Sequence, residues 1–231
     1  VLRVNSPGGG VYASELITNA LKEFKDTGRP IVSSMGDIAA SGGVWVTTLS
    51  DEIWAKNETL TGSIGVYATL PTFENLYNWA GIQVDGVSST KAGEWDPRLS
   101  MPENVTNAIQ ASVDDTYDNF VEKVSENRGM RYEEIHAIAK GRIWSGDKAL
   151  QLGLVDKIGN LNDAISAASS LANIQDFQVI RYFKEIDPFE AFVAELIENI
   201  DLDFKLNRHT KRFLDLIDNG YDFIDDTKDI N

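Results

Sequence analysis

The chain has 231 residues, 42% of them hydrophobic, which is enough to bury the core of one large domain or of one domain with an extension. Its net charge of -15 argues against nucleic-acid binding and against attachment to an anionic membrane face, since both need clustered Lys and Arg. The absence of cysteine excludes disulfides, thiol catalysis and thiolate metal sites. The sequence shows neither a secretory signal pattern nor an apolar run near the roughly 20 residues of a membrane-spanning helix.

The first residues predict a short strand, 1–4, followed by a turn that contains Gly8 and Gly9. Because the chain opens directly in a strand and without an initiator Met, we expect it to be part of a longer protein. A helix is predicted over 13–25, where apolar residues recur at helical spacing. Gly28 and Pro30 end that helix and lead into the next strand.

Ser41 is the most informative residue of the chain. It follows a predicted buried strand that begins at Pro30, and it stands between two alanines and two glycines. Small neighbours let a substrate backbone approach and let the chain turn sharply into a short helix, 42–49. The sequence therefore predicts an accessible serine at a strand-to-helix junction, near a second glycine-rich turn that offers backbone donors.

The residues that follow, up to about 90, continue the pattern of short strands and helices. Further strands are predicted at 52–55, 63–67 and 82–84, with a helix at 73–79. Alternation of this kind implies an α/β fold with a parallel sheet and crossover helices.

The remainder of the chain is predicted to be mainly helical. Ser100 and Glu103 have the spacing of a capping box, which predicts the start of a long helix whose apolar stripe faces a core or another subunit. Shorter helices are predicted at 132–139, 147–152 and 161–171. From 186 to 231 we expect a helical extension that packs on its own domain or on a neighbour. Its acidic polar face argues against an alternative position on a membrane surface.

Five sequence strings, in this order and spacing, resemble the serine-peptidase family of signal peptide peptidase A. They are VNSPGG at 4–9, AASGG at 39–43, TLTGSIG at 59–65, GRIWSG at 141–146 and LGLVD at 152–156. The resemblance extends from residue 1 to about 172 and is greatest to the C-terminal half of the long, two-repeat bacterial form. It implies a Clp protease/crotonase-like αββ spiral over 1–185, followed by the extension over 186–231.

The resemblance also implies a catalytic mechanism and the residues that carry it. Ser41 matches the nucleophile, and Ser63 matches a second serine that holds a lysine general base. Backbone N–H groups of Gly8, Gly9 and Gly42 would form the oxyanion hole. A lysine can serve as the base only when desolvation lowers its pKa toward neutrality. No metal and no cofactor are implied.

The expected lysine is missing from this chain. In the short family members it lies three residues beyond a glycine, and placing that glycine at Gly93 puts Asp96 in its position. Lys91 is nearby but about five residues early, so it is only a fallback. In the two-repeat form the lysine comes from the N-terminal half, which this chain lacks. We therefore expect the chain alone to be inactive or nearly so.

Neither of the two histidines is expected to replace the lysine, since His136 lies in a predicted helix and His209 in the polar tail. The resemblance implies an endopeptidase that cleaves remnant signal peptides at the bacterial inner membrane, with its catalytic domain on the periplasmic or extracytoplasmic side. The expected partners are a peptide substrate, further copies of the chain, the N-terminal half and a membrane segment outside the chain. Two alternatives remain open: a crotonase-type acyl-CoA enzyme and a non-catalytic assembly scaffold.

Overall fold

The computed structural model describes residues 1–90 and 95–182. Within these ranges the chain alternates short strands with helices, in the order that an α/β protein requires. The elements are β1 (Leu2–Ser6), α1 (Val11–Asp26), β2 (Val32–Ala40), α2 (Gly42–Trp45), β3 (Glu52–Ala55), β4 (Leu60–Gly62), α3 (Glu74–Trp79), α4 (Glu103–Arg128), α5 (Tyr132–Ile138), β5 (Ile143–Ser145), α6 (Gly146–Gln151), β6 (Lys157–Ile158) and α7 (Leu161–Leu171).

The strands form one sheet around β2, the longest of them. The sheet order is β5-β4-β2-β3-β6, and β1 also pairs with β2. β2 runs parallel to β1, β3 and β4, and β3 runs parallel to β6. The α/β class and the largely parallel sheet are therefore confirmed. The pairing of β4 with β5 is antiparallel, which the strand-helix alternation did not predict.

Two of the predicted strands are wrong. In place of the strand predicted at 63–67, the TLTGSIG string forms β4 at Leu60–Gly62. The positive φ angles of Gly62 and Ser63 turn the chain at the end of β4, so residues 63–67 do not continue the strand. Residues 82–84 form no strand, since Ile82 instead donates its N–H to the carbonyl of Tyr77 just beyond α3. The short strands β5 and β6 were not predicted, because strands of two or three residues are too short to show a recognisable alternation of apolar and polar residues.

The long helix α4 begins three residues after Ser100. Its N-cap is Pro102, and the Ser100 hydroxyl instead hydrogen bonds the Glu74 carboxylate, so the predicted capping box is wrong. Only the C-terminal half of α4 has buried side chains, among them Phe120 and Val121. The Phe120 ring packs on Trp45 with 4.7 Å between ring centroids. The apolar stripe of α4 therefore contributes to the core over half of its length.

Asp156, in the LGLVD string, ties α4 to the sheet. Its Oδ2 accepts the Ile53 N–H at 2.7 Å and an Arg128 N–H at 3.0 Å. The Arg128 guanidinium also donates to the Gly153 carbonyl at 2.8 Å. Arg128 is the last residue of α4, so this cluster fixes the end of that helix against β3.

The first 177 residues make up one compact unit. The predicted extension over 186–231 lies outside the described residues, and so the predicted boundary stays a prediction. Among the helices of the described ranges, none combines the length and the apolar character needed to cross a bilayer.

Candidate active site

The two glycine-rich turns predicted from the sequence lie directly against each other. A Cβ placed on Gly8 would come within 2.8 Å of the Ser41 Cβ and 2.9 Å of the Gly42 nitrogen. A Cβ on Gly42 would likewise lie 3.1 Å from the Gly9 nitrogen. Gly8 also has a φ of 114°, which side-chain-bearing residues rarely adopt. The close approach of the turns therefore requires glycine on both sides.

Ser41 has a strained backbone at the end of β2. Its φ of 53° and ψ of -119° fall outside the regions that residues with a Cβ prefer. Its N–H donates to the Gly62 carbonyl at 2.9 Å, and its carbonyl accepts from Val44 at 2.8 Å and Trp45 at 3.0 Å. Strain of this kind persists only where surrounding contacts impose it, and it is concentrated at functional sites. Here it turns the chain sharply between strand and helix.

Backbone donors lie beside Ser41. Within the described residues, the N–H groups of Gly9 and Gly42 have no hydrogen-bond partner. The Gly8 N–H donates to the Ser6 hydroxyl at 3.2 Å. The half-buried Ser41 hydroxyl likewise has no hydrogen-bond partner among the described residues. The two packed turns therefore bring together a hydroxyl and two N–H groups that have no partner among the described residues, and unpartnered N–H groups are the kind of donor that can bind an oxyanion.

Ser63 follows β4 as Ser41 follows β2. The last register pair of these parallel strands is Ala40 with Gly62, so the two serines come next on neighbouring strands. The Ser63 N–H donates to the Arg142 carbonyl at 2.6 Å. A Cβ on Gly62 would lie 2.8 Å from the same carbonyl oxygen. The TLTGSIG and GRIWSG strings are thus in contact, and together they fix the position of Ser63.

No lysine of the described residues forms a hydrogen bond with the Ser41 hydroxyl. None of these lysines is buried. The half-buried Lys25, Lys56 and Lys123 each pair with a carboxylate, at 3.0, 3.6 and 3.3 Å. Lys91 lies outside the described residues.

Asp96, in the position where the resemblance expects the lysine, is a half-buried carboxylate. The Arg98 side chain, which hydrogen bonds it, lowers the pKa of Asp96 to about 2. His136 is engaged elsewhere, since its Nδ1 lies 3.0 Å from the Tyr117 hydroxyl and its ring stacks on Tyr132. His209 lies outside the described residues. Neither Asp96 nor His136 hydrogen bonds Ser41.

Two polar residues that the sequence analysis missed support the turns. Ser14 is 6% exposed, and its hydroxyl donates to the Gly10 carbonyl at 3.2 Å while lying against Gly42. Asn5 accepts the Ile38 N–H at 3.2 Å and fills the space beside Gly36. The sequence signal for Ser14 was its spacing of four residues from Thr18, which places two small polar residues on one side of an amphipathic helix.

The comparisons with known proteins assign the family. Residues 23–175 match the sequence profile of Peptidase family S49. The chain belongs to this family. It is 40% identical over 185 residues to Protease 4 of Haemophilus influenzae, covering 78% of this chain and 30% of that protein. It is also 34% identical over 192 residues to the putative signal peptide peptidase SppA of Enterococcus faecium, with 83% of this chain and 56% of that protein covered.

A plant protein and a solved structure extend the comparison. The chain is 36% identical over 177 residues to the chloroplastic serine protease SPPA of Arabidopsis thaliana, which covers 75% of this chain and 26% of that protein. Among solved structures it is similar to a point mutant of ClpP1 from Listeria monocytogenes, with a TM-score of 0.46 and 15% identity. That likeness covers 71% of this chain and 74% of the other. The chain thus spans about 30% of the length of the Haemophilus relative.

Proposed function

We propose that this chain carries the nucleophile and the oxyanion hole of a serine endopeptidase. The observation that carries the proposal is the strained Ser41, packed against the Gly8–Gly9 turn with free N–H groups at Gly9 and Gly42. Membership of peptidase family S49 supports the same reaction class. The arrangement suits attack on a carbonyl whose oxygen becomes an anion.

The proposed reaction proceeds in two halves. The Ser41 Oγ attacks the carbonyl carbon of the scissile peptide bond, and its proton passes to a neutral lysine amine. The N–H groups of Gly9 and Gly42, with that of Gly8 if it leaves Ser6, stabilise the oxyanion. The intermediate then releases the peptide amine, which takes the proton from the lysine. Water, deprotonated by the same lysine, finally hydrolyses the acyl-serine and restores the Ser41 hydroxyl.

The lysine base is proposed to come from the N-terminal half of a longer protein. This is supported by the absence of a buried lysine among the described residues, since desolvation is a principal way to make a lysine amine neutral at physiological pH. Ser63 is proposed to hold that lysine through its hydroxyl, because it follows the strand beside Ser41. Lys91 is the fallback within the chain.

The proposed substrates are remnant signal peptides, bound as extended apolar segments at the bacterial inner membrane from its periplasmic or extracytoplasmic side. The name of the Enterococcus relative supports this substrate class. The proposed partners are the N-terminal half and further copies of the chain, with a membrane segment outside the chain as the anchor.

The proposed nucleophile is tested by labelling the longest natural protein that contains this chain with a fluorophosphonate. We expect labelling at Ser41 and its loss in Ser41→Ala, together with loss of peptide cleavage. Ser63→Ala should lower cleavage strongly while retaining the Ser41 hydroxyl. The matched control Ser166→Ala, on the surface of α7, should change neither signal. A Ser41→Ala variant that still cleaves would favour the scaffold alternative, and absence of labelling with acyl-CoA turnover would favour the crotonase-type enzyme.

The source of the lysine is tested with the 231-residue chain alone. We expect it to leave a fluorogenic peptide uncut under conditions in which the longer protein cleaves it. Robust cleavage by the chain alone that disappears in Lys91→Ala would place the base at Lys91 and contradict the proposal of a lysine elsewhere.

A further inference from the structure

Strand β4, which leads into Ser63, has three residues and a single buried side chain. Leu60 is 48% exposed and Gly62 has no side chain, whereas Thr61 is 1% exposed. The position of Ser63 therefore depends on how the Thr61 side chain holds this short strand against its neighbours in the sheet.

The Thr61 hydroxyl bonds β4 to β2 just before the two strands end. Thr61 lies opposite Ala39 in the parallel register, and its hydroxyl donates to the Ala39 carbonyl at 2.8 Å. Ser41 is two residues beyond Ala39, and Ser63 is two residues beyond Thr61. Immediately beyond this pair, the Ser41 N–H donates to the Gly62 carbonyl at 2.9 Å. Successive hydrogen bonds therefore connect the two strand ends that carry the serines.

A hydroxyl is not the group that burial alone would favour at this position. Valine and isoleucine suit a buried strand, and a buried hydroxyl is costly unless it is hydrogen-bonded. Burial of apolar surface is non-directional, so a valine would hold β4 against β2 without fixing where along the strands the contact lies. A hydrogen bond requires a defined distance and angle. The Thr61 hydroxyl therefore fixes β4 relative to β2 more precisely than an aliphatic side chain of the same shape.

We propose that Thr61 is a positioning residue, which sets the separation of Ser41 and Ser63 through its hydrogen bond to Ala39. The inference rests on the proposed function, in which Ser63 holds the lysine that takes the Ser41 proton. Proton transfer needs donor and acceptor within about 2.6–3.2 Å of each other, and a misplacement of about 1 Å can slow a reaction about 100-fold. Because the Thr61 hydroxyl is bonded to Ala39, it acts through the strand ends and not on the substrate.

Thr59 provides a matched control in the same sequence string. Its side chain is also 1% exposed, and its hydroxyl also donates to a carbonyl of β2, that of Gly36, at 2.7 Å. The Thr59 hydroxyl in addition accepts the Lys56 N–H at 3.0 Å. Thr59 precedes β4 and is two residues farther from Ser63 than Thr61 is. Loss of the Thr59 hydroxyl should therefore cost at least as much stability as loss of the Thr61 hydroxyl, but away from the two serines.

The test compares Thr61→Val with Thr59→Val in the longest natural protein that contains this chain. We expect Thr61→Val to lower kcat for peptide cleavage about 10- to 100-fold while KM changes little. The acid limb of the pH profile of kcat/KM should move to higher pH, since a lysine that is held less deeply is better hydrated and its pKa rises. Thr59→Val should change neither kcat nor the pH profile. Thr61→Ser, which keeps the hydroxyl, should restore most of the activity.

A second readout does not depend on peptidase activity. The Ser41 N–H is bonded to Gly62 of β4, so its hydrogen exchange reports how firmly the two strand ends are joined. Exchange at Ser41 should be faster in Thr61→Val than in Thr59→Val. Thermal unfolding verifies that each variant is folded. If Thr61→Val is too unstable to purify, Thr61→Ala and Thr61→Ser give the same comparison, since one lacks the hydroxyl and the other keeps it.

The outcomes separate this inference from the proposed function through Ser63→Ala in the same protein. Impaired cleavage in Ser63→Ala, together with equal kcat and equal Ser41 exchange in Thr61→Val and Thr59→Val, would overturn the positioning role of Thr61 alone. Full cleavage by Ser63→Ala would overturn the proposed role of Ser63 and, with it, that of Thr61.

Discussion

Ser41 and Ser63 directly follow the last register pair of two neighbouring parallel strands, and both have a positive φ, 53° and 49°. The Ser41 N–H donates to the carbonyl of Gly62, so the peptide unit that precedes Ser63 is bonded to Ser41. Two strained serines at adjacent strand ends are maintained at the expense of stability. That expense is consistent with a role in catalysis and leads to the first prediction.

Ser41→Gly should be more stable than Ser41→Ala, although both remove the hydroxyl. Glycine adopts a positive φ without a Cβ clash, whereas alanine retains the strain, and the difference should be about 1 kcal/mol in the free energy of unfolding. Urea denaturation of the two variants measures it. The matched pair Ser166→Gly and Ser166→Ala in α7 should give the opposite order, since glycine inside a helix is about 1 kcal/mol less favourable than alanine. Equal stabilities of the two Ser41 variants would contradict the strain at this position.

Gly8→Ala should displace the turn that packs on Ser41. The added Cβ would lie 2.8 Å from the Ser41 Cβ and 3.0 Å from the Ala40 carbonyl oxygen, at a φ of 114°. We expect a loss of about 1–3 kcal/mol in the free energy of unfolding and, in the longer protein, slower fluorophosphonate labelling of Ser41. Gly10→Ala is the control, because a Cβ there meets no atom within 4 Å. Unchanged labelling and stability in Gly8→Ala would show that the two turns are not packed as described.

Asp156→Asn should destabilise the junction between α4 and the sheet. The substitution removes the charge that pairs with Arg128 and leaves the Ile53 N–H with a weaker acceptor. Hydrogen bonds to charged groups contribute about 1.5–3 kcal/mol, and we expect a loss in that range by urea denaturation. Asp96→Asn removes a carboxylate from the solvent-accessible pair with Arg98 and should cost less stability than Asp156→Asn, since such pairs contribute little. If both variants lost the same stability, the Asp156 cluster would not be a structural anchor.

We expect Asp51 to make the stability of the fold depend on pH in the acid range. Partial burial opposes its ionisation, but the Ile31 N–H and the Lys25 ammonium outweigh burial and lower the pKa of Asp51. The carboxylate therefore stabilises the fold above the unfolded-state pKa of about 4, and this contribution disappears as pH falls through the lower folded-state pKa. Asp51→Asn should be less stable than wild type at pH 7, and the gap should narrow toward pH 3. Thermal unfolding at both pH values measures it. A gap that widens on acidification would contradict the lowered pKa.

The sequence predicted the elements that bear the site better than those around it. The junction of β2 with α2 was predicted at Ser41, because an apolar strand followed by small residues and glycines has few alternatives. The strand predicted at 63–67 failed, since the positive φ at Ser63 has no sequence signature in a residue other than glycine. The prediction that Ser100 caps α4 was wrong because the Ser100 hydroxyl hydrogen bonds the carboxylate of Glu74, which is distant in sequence.

Helix α1 shows the same limit in its packing. The helical spacing of its apolar residues was evident in the sequence, and the structure has the predicted helix at Val11–Asp26. The sequence did not show which side of the helix is buried. In the structure the polar residues Ser14 and Thr18 are buried, whereas the apolar Leu16 and Ile17 are exposed. Helical spacing identifies an apolar side, but only the surroundings determine whether that side is covered.

The sequence by itself determined the α/β class, the resemblance to signal peptide peptidase A and the candidacy of Ser41, because these depend on local periodicity and on short strings of residues. Only the tertiary structure brought Gly8 against Ser41 and placed Ser63 beside it, since those contacts join turns more than twenty residues apart. The strain at both serines likewise became visible only with the backbone angles. Local chemistry can be read along a chain, whereas a site assembled from separate turns exists only when the sheet aligns the strands that carry them.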